Sequence, residues 1–159
     1  FGETDVQGDP ENVKRNWEEL KLKEGNLSVL GGVPPGLPAM IKAGRIQEKA
    51  RAVGFDWTEK EQVWDKVAEE LAELRKEITD MDIPAMEKEF GDLMFSMINA
   101  ARLYKIDPEN ALELTNRKFI SRFNYLESKT IQKGKKLREM TLEEMNIIWE
   151  EAKQNDQSA

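Results

Sequence analysis

Neither cysteine nor histidine occurs anywhere in the 159 residues. Without them there is no disulfide framework, no zinc site of the usual Cys/His kind and no haem held by His or Cys. Serine–histidine and cysteine nucleophile schemes are excluded as well. Any metal must be held by oxygen, which points to Mg²⁺ or Mn²⁺. No apolar run approaches the roughly 20 residues that span a bilayer, and no signal-peptide pattern is present, so a cytoplasmic location is expected. Basic residues are outnumbered 24 to 31, a net charge of -7, which argues against a broad nucleic-acid surface but leaves room for a local basic pocket. Alternating, β-rich segments are missing too.

What is present is a charge-laced helical composition, 39% hydrophobic and 35% charged, in a chain long enough for one domain with a real core. Asp9-Pro10 resembles an N-cap followed by proline at the first helical position and leads into "ENVKRNWEELKLKE". The connector "GGVPPGLP" (31–38) cannot be helical throughout. A short helix follows through "AMIKAGRIQEKARAV" and stops near Gly54. Thr58 with Glu61 has the spacing of a capping box for a helix over about 59–81. Pro84 restarts a helix to about Tyr104, Asp107-Pro108 opens another to about Lys133, and Thr141 with Glu144 caps a last one to about Lys153. Long amphipathic helices with short connections predict an all-α bundle of antiparallel neighbours, and the number of apolar positions suggests completion by homodimerisation. The expected plan is one domain: residues 1–36 as helix and connector, 37–133 as the metal- and phosphate-binding helices, and 141–154 as the closing helix.

In the 59–81 helix, Val63, Val67, Leu71, Leu74 and Ile78 form an apolar stripe. At 3.6 residues per turn Glu70 lies roughly 60° from its centre and Glu73 about 120° away on the same flank, with Lys66 between them. The next helix repeats the arrangement: Met86, Phe90, Leu93, Met97 and Ala101 define its stripe, with Glu89 and then Asp92 on one flank. Four convergent carboxylates repel one another, and a divalent cation removes that repulsion while keeping waters for use with phosphates. Either acid pair alone reads as the ordinary solvated edge of a charged helix. Matched positions on consecutive helices put a metal site on an equal footing with that reading. Gly91, between Glu89 and Asp92, is expected to give room for close approach by another helix or a substrate.

The third long helix carries "NRKFISRF" (116–123), in which Lys118 and Arg122 are i, i+4 and share a face, beside an apolar face marked by Phe119 and Phe123. Two cations near a carboxylate–metal site suit a polyphosphate; taken alone they read as a solvated basic edge or as salt bridges to nearby acids. Trp149 and Lys153 form a further i, i+4 pair, with a packing role the ordinary reading of such a tryptophan.

The set "EELAE" (69–73) followed by "EFGD" (89–92) resembles the EExxE…ExxD signature of the MazG nucleoside triphosphate pyrophosphohydrolases. "LPAMIKAGRIQEKARAVGFDW" (37–57), "NRKFISRF" and "EEMNIIWEEAK" are also similar to MazG sequences, so nearly the whole chain is covered. The resemblance implies an all-α fold and hydrolysis of NTPs between the α- and β-phosphates to NMP and pyrophosphate. It further implies that Glu70, Glu73, Glu89 and Asp92 hold Mg²⁺, that Lys66, Lys118 and Arg122 contact the triphosphate, and that Trp149 and Lys153 help bind the nucleotide. Glu69 belongs to the motif beside the substrate, either orienting water or supporting the fold. MazG proteins often carry two such domains, and a chain with one motif set that begins at Phe1 resembles the C-terminal one.

The chemistry suits these residues. The expected mechanism is direct attack by a metal-activated water: the carboxylates would fix the metal and could accept a proton, and Lys and Arg would stabilise the pyrophosphate leaving group. A ferritin-like di-iron protein would need Glu-x-x-His pairs, which are absent. Two alternatives stay open: a non-enzymatic helical interaction module, and a relative restricted to one dNTP such as dUTP or dCTP.

Overall fold

The computed structural model describes residues 28–157, and the helix expected around "ENVKRNWEELKLKE" lies outside them. Among the described residues there are five α-helices and no strand: α1 (Ala39–Ala52), α2 (Val63–Asp80), α3 (Ile83–Leu103), α4 (Pro108–Gln132) and α5 (Leu142–Gln157). They fall into two compact units that divide after Pro108. None of the helices is long and apolar enough to cross a membrane.

In the first unit, α1 follows the proline-rich connector, where Lys42 Nζ donates to the Pro35 carbonyl at 2.6 Å. It closes at Gly54, whose φ of +90° suits glycine far better than any residue with a Cβ. Gln47 Nε2 donates to the Phe95 carbonyl at 2.8 Å and ties α1 to α3. The loop after α1 is fastened by Asp56, which accepts from Arg102 Nη1 at 3.0 Å and lies 3.4 Å from Arg51 Nε.

The cap expected at Thr58 and Glu61 sits one residue further on. A 3₁₀ turn, Lys60–Gln62, precedes α2, and Glu59 N–H donates to Gln62 Oε1 at 3.4 Å. The tighter turn takes up the residues on which a directly started α-helix would have placed its cap. Only Met81 and Asp82 separate α2 from α3. Met81 is left-handed (φ 56°), and Asp82 Oδ1 accepts the Ala85 N–H at 3.1 Å, so α3 restarts antiparallel to α2.

The seam of this hairpin differs from the apolar stripe read in the sequence. Val63, Glu70 and Leu74 are the buried residues of α2, while Leu71 and Ile78 are exposed. On α3 Ser96, Ile98 and Ala100 are buried, and Phe90 and Met97 are exposed. At about 100° per residue, Val63, Val67, Glu70 and Leu74 fall within one sector of roughly 60°. Glu70 therefore lies on the seam, not beside it. Apolar residues on these helices serve two directions, the partner helix and the open flank, and a stripe that sums both points between them. Glu73 and Lys66 lie to one side of the seam on α2; on α3 Asp92 lies to the same side. Leu71, Ile78, Phe90 and Met97 mark the other.

Gly91 has open space around it: a Cβ there would meet nothing within 4 Å among the described residues. No other helix of the first unit approaches it.

The second unit has its own core, in which Leu126, Met140 and Ile148 are buried against Tyr125, Leu137 and Met145. Thr130, 1% exposed, satisfies its hydroxyl by donating to the Leu126 carbonyl at 2.8 Å. The expected capping box is present: Glu144 N–H donates to Thr141 Oγ1 at 3.2 Å and Thr141 N–H to Glu144 Oε2 at 2.9 Å. From it α5 runs to Gln157, a turn beyond the expected end.

Candidate metal centre

Antiparallel pairing sets Glu70 and Glu73 of α2 opposite Glu89 of α3. Each offers a carboxylate oxygen, and the three oxygens all lie within 4.8 Å of one another. Glu70 has a side chain 7% exposed, Glu89 one 12% exposed, while Glu73 opens to solvent. Close carboxylates oppose each other's ionisation. Burial, then the charges of Glu70, Glu89 and Glu69, push the Glu73 carboxyl above its ordinary value. Glu89 is held below its own, first by the hydrogen bond from Lys88.

Lysines supply what cationic charge there is. Lys66 Nζ lies 2.8 Å from Glu69 Oε1 and 2.6 Å from Glu70 Oε1, and hydrogen bonds to Glu69 and Glu70 raise its pKa. Lys88 Nζ lies 2.7 Å from Glu89 Oε1 and 3.5 Å from Asp92 Oδ2. Asp92, half exposed and one turn beyond Glu89, is not part of the close group of three. Lys88 was missed in the sequence, although its i, i+4 spacing to Asp92 was the available signal.

Glu89 Oε2 is buried and has no hydrogen-bond partner. A buried carboxylate oxygen without a partner is costly, and here it belongs to one of three converging acids. Oxygen donors of this kind suit a hard divalent cation, Mg²⁺ or Mn²⁺. The residues fit such an ion.

Lys118, Arg122, Trp149 and Lys153 all belong to the second unit. Arg122 Nε is 2.7 Å from Asp156 Oδ2, and Lys153 Nζ is 2.6 Å from Glu150 Oε1. Lys118 is exposed and has no ion-pair partner among the described residues. Trp149 packs against Phe119 with ring centroids 5.1 Å apart. The sequence marked Phe119 only as part of an apolar face.

Residues 58–126, which contain all three close carboxylates together with Asp92, Lys118 and Arg122, match the model of the MazG nucleotide pyrophosphohydrolase domain. The chain carries a MazG domain and belongs to that family. It is 40% identical over 147 residues to the nucleoside triphosphate pyrophosphohydrolase/pyrophosphatase MazG of Thermotoga maritima, covering 91% of this chain and 56% of that protein. It is 34% identical over 162 residues to the nucleoside triphosphate pyrophosphohydrolase of Escherichia coli K12, covering 98% of this chain and 61% of that protein. A Bacillus subtilis protein, the uncharacterized YabN, is 42% identical over 160 residues, 98% of this chain and 32% of its own length. The chain thus spans little more than half the length of the first two of these curated relatives. As a MazG-family chain it has the helical fold expected from its sequence, and of the acids that suggested the family the hairpin brings Glu70, Glu73 and Glu89 together and leaves Asp92 outside the close group.

Proposed function

We propose that this MazG chain hydrolyses nucleoside triphosphates between the α- and β-phosphates, giving a nucleoside monophosphate and pyrophosphate. The convergence of Glu70, Glu73 and Glu89 within 4.8 Å is the observation that carries this reading. Similarity to relatives named nucleoside triphosphate pyrophosphohydrolase supports it.

In this reading Glu70, Glu73 and Glu89, with Asp92 one turn away, hold Mg²⁺, which Mn²⁺ can replace. When bound, the ion neutralises phosphate charge and supplies a Lewis acid to the α-phosphate. The carboxylates also accept the proton of the attacking water. Lys66 lies within reach of the acids and is poised to exchange its carboxylate partners for a phosphate. Lys118 and Arg122 contact the triphosphate and stabilise charge on the departing pyrophosphate, while Trp149 and Lys153 engage the nucleotide. Glu69 holds Lys66 on the side away from Glu70, consistent with a supporting role.

The exposed flank of Leu71, Ile78, Phe90 and Met97 is the surface on which we place a second copy of the chain, in a cytoplasmic homodimer. Large apolar residues clustered on one side of a hairpin mark such a contact. Substituting both Phe90 and Met97 by Glu is expected to give a monomer by light scattering; an unchanged mass would remove this assignment.

A panel of NTPs and dNTPs incubated with Mg²⁺ in ¹⁸O-labelled water tests the reaction. NMP carrying the label, with unlabelled pyrophosphate, is expected. NDP and phosphate would refute α–β cleavage, and turnover of dUTP or dCTP alone would identify a restricted relative. Absence of turnover and of Mg²⁺-dependent nucleotide binding would favour an interaction module that uses the apolar flank and leaves the acids idle.

A further inference from the structure

We propose that a cavity of the first unit, between α1 and the C-terminal end of α3, binds a small aliphatic phosphate ester through Arg45 and Lys105. It is separate from the carboxylate group. Arg102 on its wall follows Glu89 by 13 residues, about 20 Å along α3. Binding there is independent of the reaction proposed above.

The cavity has a volume of about 810 Å³ and is built entirely from residues of the first unit. Ile41, Ile98, Leu103 and Ile106 give it an aliphatic wall, and no aromatic ring lines it. That size and lining suit a small molecule, and with no ring to stack on, a nucleobase gains little there. Two of its residues run against their local backbone preference. Gly44 lies inside α1, where glycine weakens the helix relative to alanine. A Cβ there would meet nothing within 4 Å among the described residues, so no close packing demands its absence. Lys105 shows the reverse. It follows the end of α3 with φ at 58°, the left-handed conformation that helix-ending glycines usually take, and its N–H donates to the Arg102 carbonyl at 3.0 Å. Local conflicts of this kind gather at functional sites, and these two line one cavity. Gly44 leaves room in the wall, and Lys105 brings an ammonium to it.

The charges define the ligand. Arg45 and Lys105 both line the cavity and have no ion-pair partner among the described residues. Elsewhere in this unit Lys66, Lys76 and Lys88 each meet a carboxylate at 2.6–2.7 Å. Arg102 is engaged by Asp56 and Asn99, and Arg51 lies 3.4 Å from Asp56. Two open cations on different elements suit a dianion with several acceptor oxygens, which a phosphate monoester supplies. Glu48 and Asp107 also line the cavity. They repel a second anionic group and can accept hydrogen bonds from hydroxyls, so a single phosphate fits better than a polyphosphate chain. The aliphatic wall takes the body of the ester.

The test titrates the full chain calorimetrically with butyl phosphate, inorganic phosphate and butanol, in the presence of EDTA so that no metal holds the anion. Butyl phosphate is expected to bind roughly tenfold or more tighter than inorganic phosphate, because its buried carbons add to the ion pairs, and butanol should not bind measurably. Lys105→Gly and Arg45→Gln should each weaken butyl phosphate by roughly 5- to 50-fold, the loss of one charge-assisted hydrogen bond. Lys105→Gly should unfold at an equal or higher urea concentration, since glycine suits that φ, which separates lost binding from lost folding. In an NMR titration the shifted amides should centre on Gly44, Arg45 and Lys105. Unchanged affinity in either variant, inorganic phosphate binding as tightly as butyl phosphate, or shifts centred on Glu70 or Lys118 would overturn the assignment. A lower urea midpoint in Lys105→Gly would show that Lys105 serves the fold and would overturn its role. Vesicles containing phosphatidic acid distinguish a lipid phosphate from a soluble one: the chain should stay in the supernatant, and co-sedimentation lost in Lys105→Gly would overturn the small-ester assignment.

Discussion

Replacing Lys66 by Gln should tighten divalent-metal binding while slowing turnover. Lys66 Nζ lies 2.6 Å from Glu70 Oε1, inside the set of carboxylates that would hold the ion. An ion on Glu70 would sit on the order of 5 Å from that ammonium; a +1 and a +2 charge at that distance and an effective dielectric near 20 repel by roughly 6–7 kcal/mol. That figure is a ceiling. The Lys66 side chain is 38% exposed, so it swings into water when an ion arrives, and exposed pairs of this kind are worth about 1 kcal/mol or less. Glu70, by contrast, is nearly buried, and without Lys66 the metal-free chain keeps an uncompensated carboxylate there, which further favours the bound state. Together these give about 1–2 kcal/mol, a 5- to 30-fold lower Kd. Calorimetric titration with Mn²⁺ measures it. Turnover should move the other way, because Lys66 also serves the triphosphate. A Kd unchanged or raised in Lys66→Gln would refute the argument, since it would mean that Lys66 and the ion do not compete for Glu70.

Other outcomes follow from the packing. Ile148 is 1% exposed in the core of the second unit, so Ile148→Ala should lower stability by about 2–5 kcal/mol in denaturant unfolding; a loss below about 1 kcal/mol would mean that this core is loosely packed. Gly91→Ala should raise stability by roughly 1 kcal/mol, since the helix gains alanine and the Cβ meets open space. Loss of nucleotide affinity in that variant would show instead that the glycine makes room for substrate. At Asp56 burial pushes the carboxyl up, but hydrogen bonds from Arg102 and the Trp57 N–H, with the charges of Arg102 and Arg51, hold it below the ordinary 3.8. A depressed pKa stabilises the fold fully above that ordinary value and loses its effect as pH falls through the folded one. Asp56→Asn should therefore cost about 2 kcal/mol near neutral pH, with the difference from the unaltered chain shrinking below pH 3.8. A difference independent of pH would contradict the charge-based account.

Local signals survived folding well. Thr141 and Glu144 cap α5 as their spacing required, and Asp82 with Pro84 restarts the chain so that α2 and α3 are antiparallel. That turn also made the acid pairs legible, because two helices joined by two residues must bring Glu70 and Glu73 near Glu89. What the sequence could not show was which way each helix faces. Phe90 and Met97 look like core residues, yet they are exposed, and Glu70 takes a buried place on the seam. Rotation about a helix axis is set by contacts distant in sequence, such as Gln47 with Phe95 and Asp56 with Arg102, and no local pattern encodes them. The same limit hid the contact of Phe119 with Trp149 thirty residues later.

The carboxylate group is the point on which the account turns, and an anomalous-scattering map of crystals soaked in Mn²⁺ tests it most directly. The expected result is a peak within coordination distance of Glu70, Glu73 and Glu89, lost in Glu70→Gln. A peak elsewhere, or none at saturating Mn²⁺, would contradict it.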